Sequence, residues 1–313
     1  MRSDPISRRW GEKPYYSLDY YLRQTYGGKV YKIALDGGMT CPNRDGTLDT
    51  RGCIFCSEGG SGDFATQRKG SVTEQIDTAI RRLETGDKYT GGRYIAYFQS
   101  FSNTYAPVEY LRRLYREALT HPKVVGLAIG TRPDCFHDAI YDLLEECNQI
   151  APTWVELGLQ TIHEKTAAYI RRGYPLAVFE EAVEQLHARA VDVVVHVILG
   201  LPEEGEKEVL DTIHYLNGQP IQGIKLQLLH ILRGTDLAAQ MKQMHILTEE
   251  EYVGLVLRCI SELSPDIVIH RLTGDGPKDQ LIAPRWSLNK RGVLNHLMHE
   301  MKVQQIYQGK TCE

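Results

Sequence analysis

"VDVVVHVILGLPEEGEKEVLDTIHYLN" occupies residues 191–217. Its first ten residues are almost continuously apolar, interrupted only by Asp192 and His196. Then comes a turn, "GLPEEG", and a stretch in which Val209, Leu210, Ile213 and Leu216 recur at helical spacing. A strand apolar on both faces, followed at once by an amphipathic helix, is the repeating unit of a parallel sheet covered by helices. The unit recurs on either side. Tyr31–Leu35 reads as a strand, and "SVTEQIDTAIRRL" (71–83) as a helix with Ser71 and Glu74 at capping-box spacing. "RYIAYF" precedes a helix at Pro107–Leu119, "VVGLAI" one at Asp138–Asn148, and "TWVELGL" helical segments reaching Ala190. "IKLQLL" precedes a helix near Leu237–Met244. With right-handed crossovers, six such units curl towards a barrel without closing it.

The expected fold is therefore α/β: a partial (βα)6 TIM-like barrel with a C-terminal α/β extension. The extension reads as a helix at Glu249–Leu263, a strand in "DIVIHRL" and a helix at Gly292–Gln305. The expected organisation is an N-terminal arm at 1–30, a barrel at 31–245 and the extension, packed on the barrel, at 246–313. In such folds the chemistry gathers at the C-terminal ends of the strands.

The chain has 313 residues, 42% hydrophobic and 24% charged, with a net charge of −4, which excludes a basic nucleic-acid coat. No apolar run approaches the roughly 18 residues of a membrane span, and the N-terminal stretch lacks the apolar core of a signal peptide. A cytoplasmic protein without a membrane partner is expected. In such a compartment cysteines serve metals or catalysis rather than disulfides. Cys147 and Cys259, in helical segments, read as buried small apolar residues. The arm interleaves Arg8, Arg9 and Lys13 with Trp10, Tyr15, Tyr16, Tyr20 and Tyr21, and Lys29 and Lys32 follow. That mixture suits phosphates and bases, or equally tyrosines packed on a core.

"CPNRDGTLDTRGCIFC" (41–56) follows the first strand and holds Cys41, Cys53 and Cys56 as C-x11-C-x2-C. A disulfide uses two thiols, and a structural zinc site wants four ligands. Three thiolates suit a [4Fe–4S] cube with one iron left open, where the amino and carboxylate groups of S-adenosylmethionine can chelate. Zinc, or three structural thiols, remain the other readings.

The stretch "YKIALDGGMTCPNRDGTLDTRGCIFC" resembles the radical S-adenosylmethionine superfamily, and within it a bacterial subgroup related to the Elongator catalytic subunit. "YFQSFSNTYAP", "GTRPDCF", "ELGLQT", "RRGY", "HVILGLPEEG", "LLHILRGT" and "HRLTGDGP" extend the resemblance over nearly the whole chain. The long gap before Cys53 is shared with Elongator; the usual superfamily spacing is C-x3-C-x2-C. The resemblance implies a [4Fe–4S] cluster on Cys41, Cys53 and Cys56 and a bound S-adenosylmethionine. It places Gln99 and Asn103, with Ser100 and Thr104, at the methionine amino group. Thr131 and Arg132 follow on strand three. Gly130 stands where Elongator-like relatives carry Glu, so a ribose-binding carboxylate does not carry over.

Gln160 and Arg172 match in interval the cofactor-binding Gln and Arg of the coproporphyrinogen-oxidising members, which makes Arg172 a partner for the methionine carboxylate. His196 stands where those members place a ribose-binding Asp; as histidine it is expected to titrate near neutrality. Glu156 lies inside an apolar strand, so it needs a partner in the barrel. Lys225, Gln227, His230, Arg271 and Asp275 are expected to face the substrate, with Lys225, His230 and Asp275 as catalytic candidates. The subgroup implies action on the wobble uridine of tRNA. There the conversion is of 5-carboxymethylaminomethyl-(2-thio)uridine to the 5-aminomethyl form, with a donor such as flavodoxin or ferredoxin supplying electrons. Radical chemistry on another RNA base or a small metabolite, and a non-enzymatic iron–sulfur or zinc RNA-binding protein, are the alternatives.

Overall fold

Seven parallel strands run in the order β1-β2-β3-β4-β5-β6-β8, so neighbours along the chain are neighbours in the sheet apart from one short strand set aside. The computed structural model describes residues 9–60, 65, 70–85, 91–274 and 276–312. The strands are β1 (Tyr31–Leu35), β2 (Tyr94–Phe98), β3 (Val124–Thr131), β4 (Thr153–Gln160), β5 (Asp192–Leu199), β6 (Gly223–Leu228) and β8 (Val268–Arg271). Strand β7 (Ile231–Leu232) pairs antiparallel with β9 (Leu281–Ala283) in a separate two-stranded sheet. The helices are α1 (Leu18–Tyr26), α2 (Val72–Glu84), α3 (Val108–Thr120), α4 (Asp138–Ile150), α5 (Glu164–Tyr169), α6 (Leu176–Ala188), α7 (Glu206–Asn217), α8 (Asp236–Gln240), α9 (Glu249–Glu262) and α10 (Lys290–Val303).

The expected curled parallel sheet is present, with one strand more than the six read from the sequence. "DIVIHRL", assigned to the extension, supplies β8, which pairs with β6 from Gly223↔Val268 onward. The helix near Leu237–Met244 is shorter than expected; α8 ends at Gln240 and a single 3₁₀ turn follows.

Strand alternation sorts the apolar side chains onto two faces. Val193, Val195, Val197 and Leu199 of β5 pack outward against the helices, as do Leu127, Ile129, Val155 and Leu157. Val194 points inward with Ile95, Ala128 and Trp154, where Leu22 of α1 and Val30 meet them. Helix α1 therefore packs on the inner face of the sheet, an arrangement that gives the arm's rings a core to bury in. Trp10 and Tyr15 are buried, and Trp10 stacks on Tyr16 at 6.3 Å between centroids. The arm also adds to the β8 edge: the Ile269 amide donates to the Tyr16 carbonyl at 2.7 Å. Arg8 and its predecessors lie outside the described residues.

Candidate active site

The cysteine loop leaves β1 and folds back on itself. The amides of Arg44 and Asp45 donate to the Cys41 carbonyl at 2.8 and 3.1 Å, and the Cys56 amide donates to the Cys53 carbonyl at 3.0 Å. Gly52 sits at φ +76 close against the Arg44 guanidinium, so a β-carbon would meet both strain and a collision. Arg44 Nη2 in turn donates to the Cys56 and Ser57 carbonyls. Asn43 Nδ2 donates to the Arg171 carbonyl at 2.8 Å, and the Ile54 amide to the Ile170 carbonyl at 3.2 Å, tying the loop to the end of α5.

Cys41, Cys53 and Cys56, none of them in a disulfide, line one cleft of about 950 Å³. Burial, then the neighbouring Cys56, pushes the Cys53 thiol up to about 11, so the free-thiol form is protonated at neutral pH. Among the described residues no group of three His, Cys, Asp or Glu side chains is placed to hold one metal ion. Three thiols around an open cleft fit a cube, in which each thiolate meets a different iron.

The same cleft gathers most of the expected site residues. Gln99, Thr131, Glu156, Gln160, Arg172, His196 and Lys225 line it with the cysteines. His230 lines an adjoining chamber, shared with Lys225 and Gln227. Asp275 lies outside the described residues. Gln160 ends β4 at φ +65, beside a register shift against β5. A non-glycine residue in this left-handed region is held there by its surroundings, and here the kink sits where the strand meets the cavity. Thr131 Oγ1 lies 2.6 Å from Thr104 Oγ1, linking the loop after β2 to β3.

Two expectations are corrected. Asn103 lies off the cavity wall: its side chain donates to the Gly130 carbonyl at 2.7 Å, and its own carbonyl accepts from the Tyr115 hydroxyl. It shapes the β2 loop from below. His196 does not titrate near neutrality. Burial, then the Lys225 charge, pulls it down to about 4, so its ring is neutral and Nε2–H donates to Glu156 Oε2 at 3.0 Å.

Arg172 is buried and uses its five N–H groups within the protein. It donates to the carbonyls of Tyr174 (2.9 Å), Thr161 (2.7 Å) and Leu159 (3.3 Å), and Nη2 faces Glu164 at 3.3 Å. A methionine carboxylate would have to displace one of these. Arg172→Gln is expected to lower stability by about 3 kcal/mol, because three buried carbonyls lose a charged donor. Urea unfolding measures this, and cofactor titration of the folded variant reads any binding role separately.

At the centre of the barrel, Glu156 is fully buried and accepts from four groups on three other strands and its own. Lys32 of β1 and Trp154 hold Oε1, the latter at 3.2 Å; Lys225 of β6 and His196 of β5 hold Oε2. Burial opposes the charge on Glu156, but Lys225 and Lys32 outweigh it and hold the carboxyl well below its usual range. Burial also pulls Lys225 down to about 7. Tyr97 lies between the lysines, with Lys32 Nζ 3.8 Å and Lys225 Nζ 4.9 Å from its ring centroid. Sequence reasoning found Glu156 and its need for a partner, but it counted Lys32 among the arm's surface charges. The available signal was alternation: Lys32 and Ala34 share the inward face of "YKIAL".

The family model "Radical SAM superfamily" matches residues 50–216, and "Radical SAM C-terminal domain" matches 221–303. YtqA of Bacillus subtilis is 43% identical over 312 residues, covering 99% of this chain and 96% of that protein. Elongator complex protein 3 of Schizosaccharomyces pombe is 25% identical over 288 residues, covering 78% of this chain and 52% of that protein. In fold, the chain is similar to the archaeal Methanocaldococcus infernus Elp3 at a TM-score of 0.68, with 16% identity over 90% of this chain and 64% of that one. Among the described residues no helix is long and apolar enough to cross a membrane. With three cysteine thiols around the cleft and a family model over more than half the chain, the assignment follows: this chain belongs to the radical SAM superfamily, as an Elp3-like enzyme that uses a [4Fe–4S] cluster and S-adenosylmethionine.

Proposed function

We propose that the enzyme acts on the wobble uridine of tRNA, converting 5-carboxymethylaminomethyl-(2-thio)uridine to the 5-aminomethyl form. The observation that carries this reading is the relation to Elongator complex protein 3 over 78% of the chain, joined to the long Cys41–Cys53 gap. Cys41, Cys53 and Cys56 would hold the cluster and leave one iron for the sulfonium cofactor, with Gln160 and Thr131 on the wall beside it. When bound and reduced, this pair supplies a 5′-deoxyadenosyl radical. The polar chamber of Lys225, Gln227 and His230 would receive the uridine side chain. The substrate methylene would lose a hydrogen atom to the 5′-deoxyadenosyl radical, the carbon radical would pass one electron to a one-electron carrier of the flavodoxin or ferredoxin class and its N–H proton to solvent, and water would hydrolyse the resulting imine to the amine and glyoxylate. A one-electron donor of the flavodoxin or ferredoxin class serves as partner to the cluster.

The test is nucleoside mass spectrometry of tRNA from a strain lacking the gene. Accumulation of the carboxymethylaminomethyl nucleoside is expected, and an unchanged profile would overturn the reading. With purified enzyme, deuterium on the glycine-like methylene is expected to appear in 5′-deoxyadenosine.

A further inference from the structure

The chamber beside the thiols has an imbalance of charge. Lys32 from β1 and Lys225 from β6 both hold the one carboxylate of Glu156 from β4. Among the described residues, the other titratable groups facing them are Tyr97 from β2, His196 from β5, and His270 and Arg271 from β8. β3 faces the barrel with Ala128 and Gly130. Burial holds the Tyr97 phenol well above its ordinary value, and burial keeps both imidazoles neutral. Among the described residues, and with Arg271 left aside, Lys32 and Lys225 share one carboxylate, so whenever both are protonated two ammonium groups face a single counter-charge.

Their hydrogen-bonding capacity is unequally used. Lys225 directs one N–H to Glu156 and another to Tyr97 Oη at 3.4 Å. Lys32 directs one to Glu156 and otherwise lies over the rings of Tyr97 and Trp154. An ammonium presents three donors, so each keeps capacity for one more acceptor. Both side chains line the chamber that contains Gln227 and His230. A buried cation without its own counter-ion is unfavourable, and an entering anion relieves that cost.

We propose that Lys32 and Lys225 form a subsite that anchors a carboxylate of the substrate. The identity of the ligand rests on the wobble-uridine reading: the carboxymethylamino group ends in a carboxylate, and the aminomethyl product does not. The subsite therefore grips substrate and releases product. Because Lys225 alone is largely neutral at pH 8, binding the anion there draws a proton from solution.

The test is calorimetry on the full chain carrying cluster and S-adenosylmethionine, without reductant, at pH 8 in two buffers of different ionisation enthalpy. The ligands are 5-carboxymethylaminomethyluridine and its carboxamide, then N-methylglycine and N-methylglycinamide. The acid is expected to bind about tenfold or more tighter than the amide, with net proton uptake. Lys225→Met and Lys32→Met are each expected to bring that ratio towards one. Lys225→Arg is expected to keep it, which separates lost charge from lost folding. Equal binding of acid and amide to the wild type, or a preference that survives both methionine variants, overturns the subsite. A preference confined to the N-methylglycine pair, with neither nucleoside bound, upholds the subsite and removes the uridine reading. Conversion of a nucleoside whose amide binds as tightly as its acid removes the subsite and leaves the reading intact.

Discussion

Cys53→Ala is expected to lower reductive cleavage of S-adenosylmethionine by about 10³-fold or more, as are Cys41→Ala and Cys56→Ala. In the proposed assignment each thiolate would hold a different iron, so losing any one would open a second iron and remove the seat for the cofactor. The loop should nonetheless stay folded. Its main anchors are the Asn43 side chain on Arg171, the Ile54 amide on Ile170 and the Arg44 guanidinium on the Cys56 and Ser57 carbonyls, which use no thiol; the Cys53 thiol adds longer contacts, to the Arg171 carbonyl and from Asn43 Nδ2, each at 3.5 Å. Iron content and 5′-deoxyadenosine yield should therefore collapse while the circular dichroism spectrum holds. Cys135→Ala supplies the contrast. That thiol is buried beside Asp134 rather than on the cavity wall, so the variant is expected to retain about four irons. Cleavage persisting in any of the three loop variants would refute the ligand assignment.

Glu156→Gln is expected to cost on the order of 3–5 kcal/mol of stability, the range for removing one partner of a buried ion pair. The amide keeps the volume and some hydrogen bonds, but Lys32 and Lys225 lose the carboxylate they share. The pH dependence has a definite sign. Glu156 is held below the usual carboxylate range, so its contribution is present above the unfolded value of about 4.3 and is lost as pH falls through the folded one. Lys225 is pulled down to about 7, so its pairing weakens again as pH rises through that value. The gap between variant and wild type should be widest near pH 5–7 and shrink above it. Urea unfolding across pH 5 to 9 measures this. Replacing Lys32, Glu156 and Lys225 together by Met should recover most of the loss, since an apolar trio of similar volume leaves no uncompensated charge. A triple variant as unstable as Glu156→Gln would show that shape, not charge, dominates.

Much of this molecule is legible from its residues. Runs such as "VDVVVHVILG" are apolar on both faces, and that alone places helices on one side and a packed interior on the other. The three cysteines converge because a long loop can bring Cys41 round to the Cys53–Cys56 turn. What was not legible depends on contacts across the sheet. Alternation shows which way Lys32 points, but only the curl of the sheet brings β1 opposite β4 and β6, where Glu156 and Lys225 lie. β8 looked like part of a separate extension because nothing local in "DIVIHRL" says which strand it joins. The β7–β9 pair has two and three residues, too few for any period to register. Asn103, in the loop after β2, and Arg172, in the turn after α5, carried polar chemistry near the mouth of the barrel, as a binding role would require. Yet backbone carbonyls, invisible in a list of side chains, are what they hold.

The hydrogen bond from Ile269 to Tyr16 bears on how the chain is made. Strands β1 to β6 stand in the sheet in the order in which they leave the ribosome, so each can add to its predecessor during synthesis. Helix α1 can already meet β2 to β5, but the arm's edge partner arrives only with residue 269, and Gln308, which accepts from the Tyr16 amide at 2.9 Å, later still. Until then α1 lacks β8, and the chamber of Lys32 and Lys225 stands without one wall. Closing that seam joins two segments far apart in the chain, a slow class of contact, so it is expected to be the last step of folding.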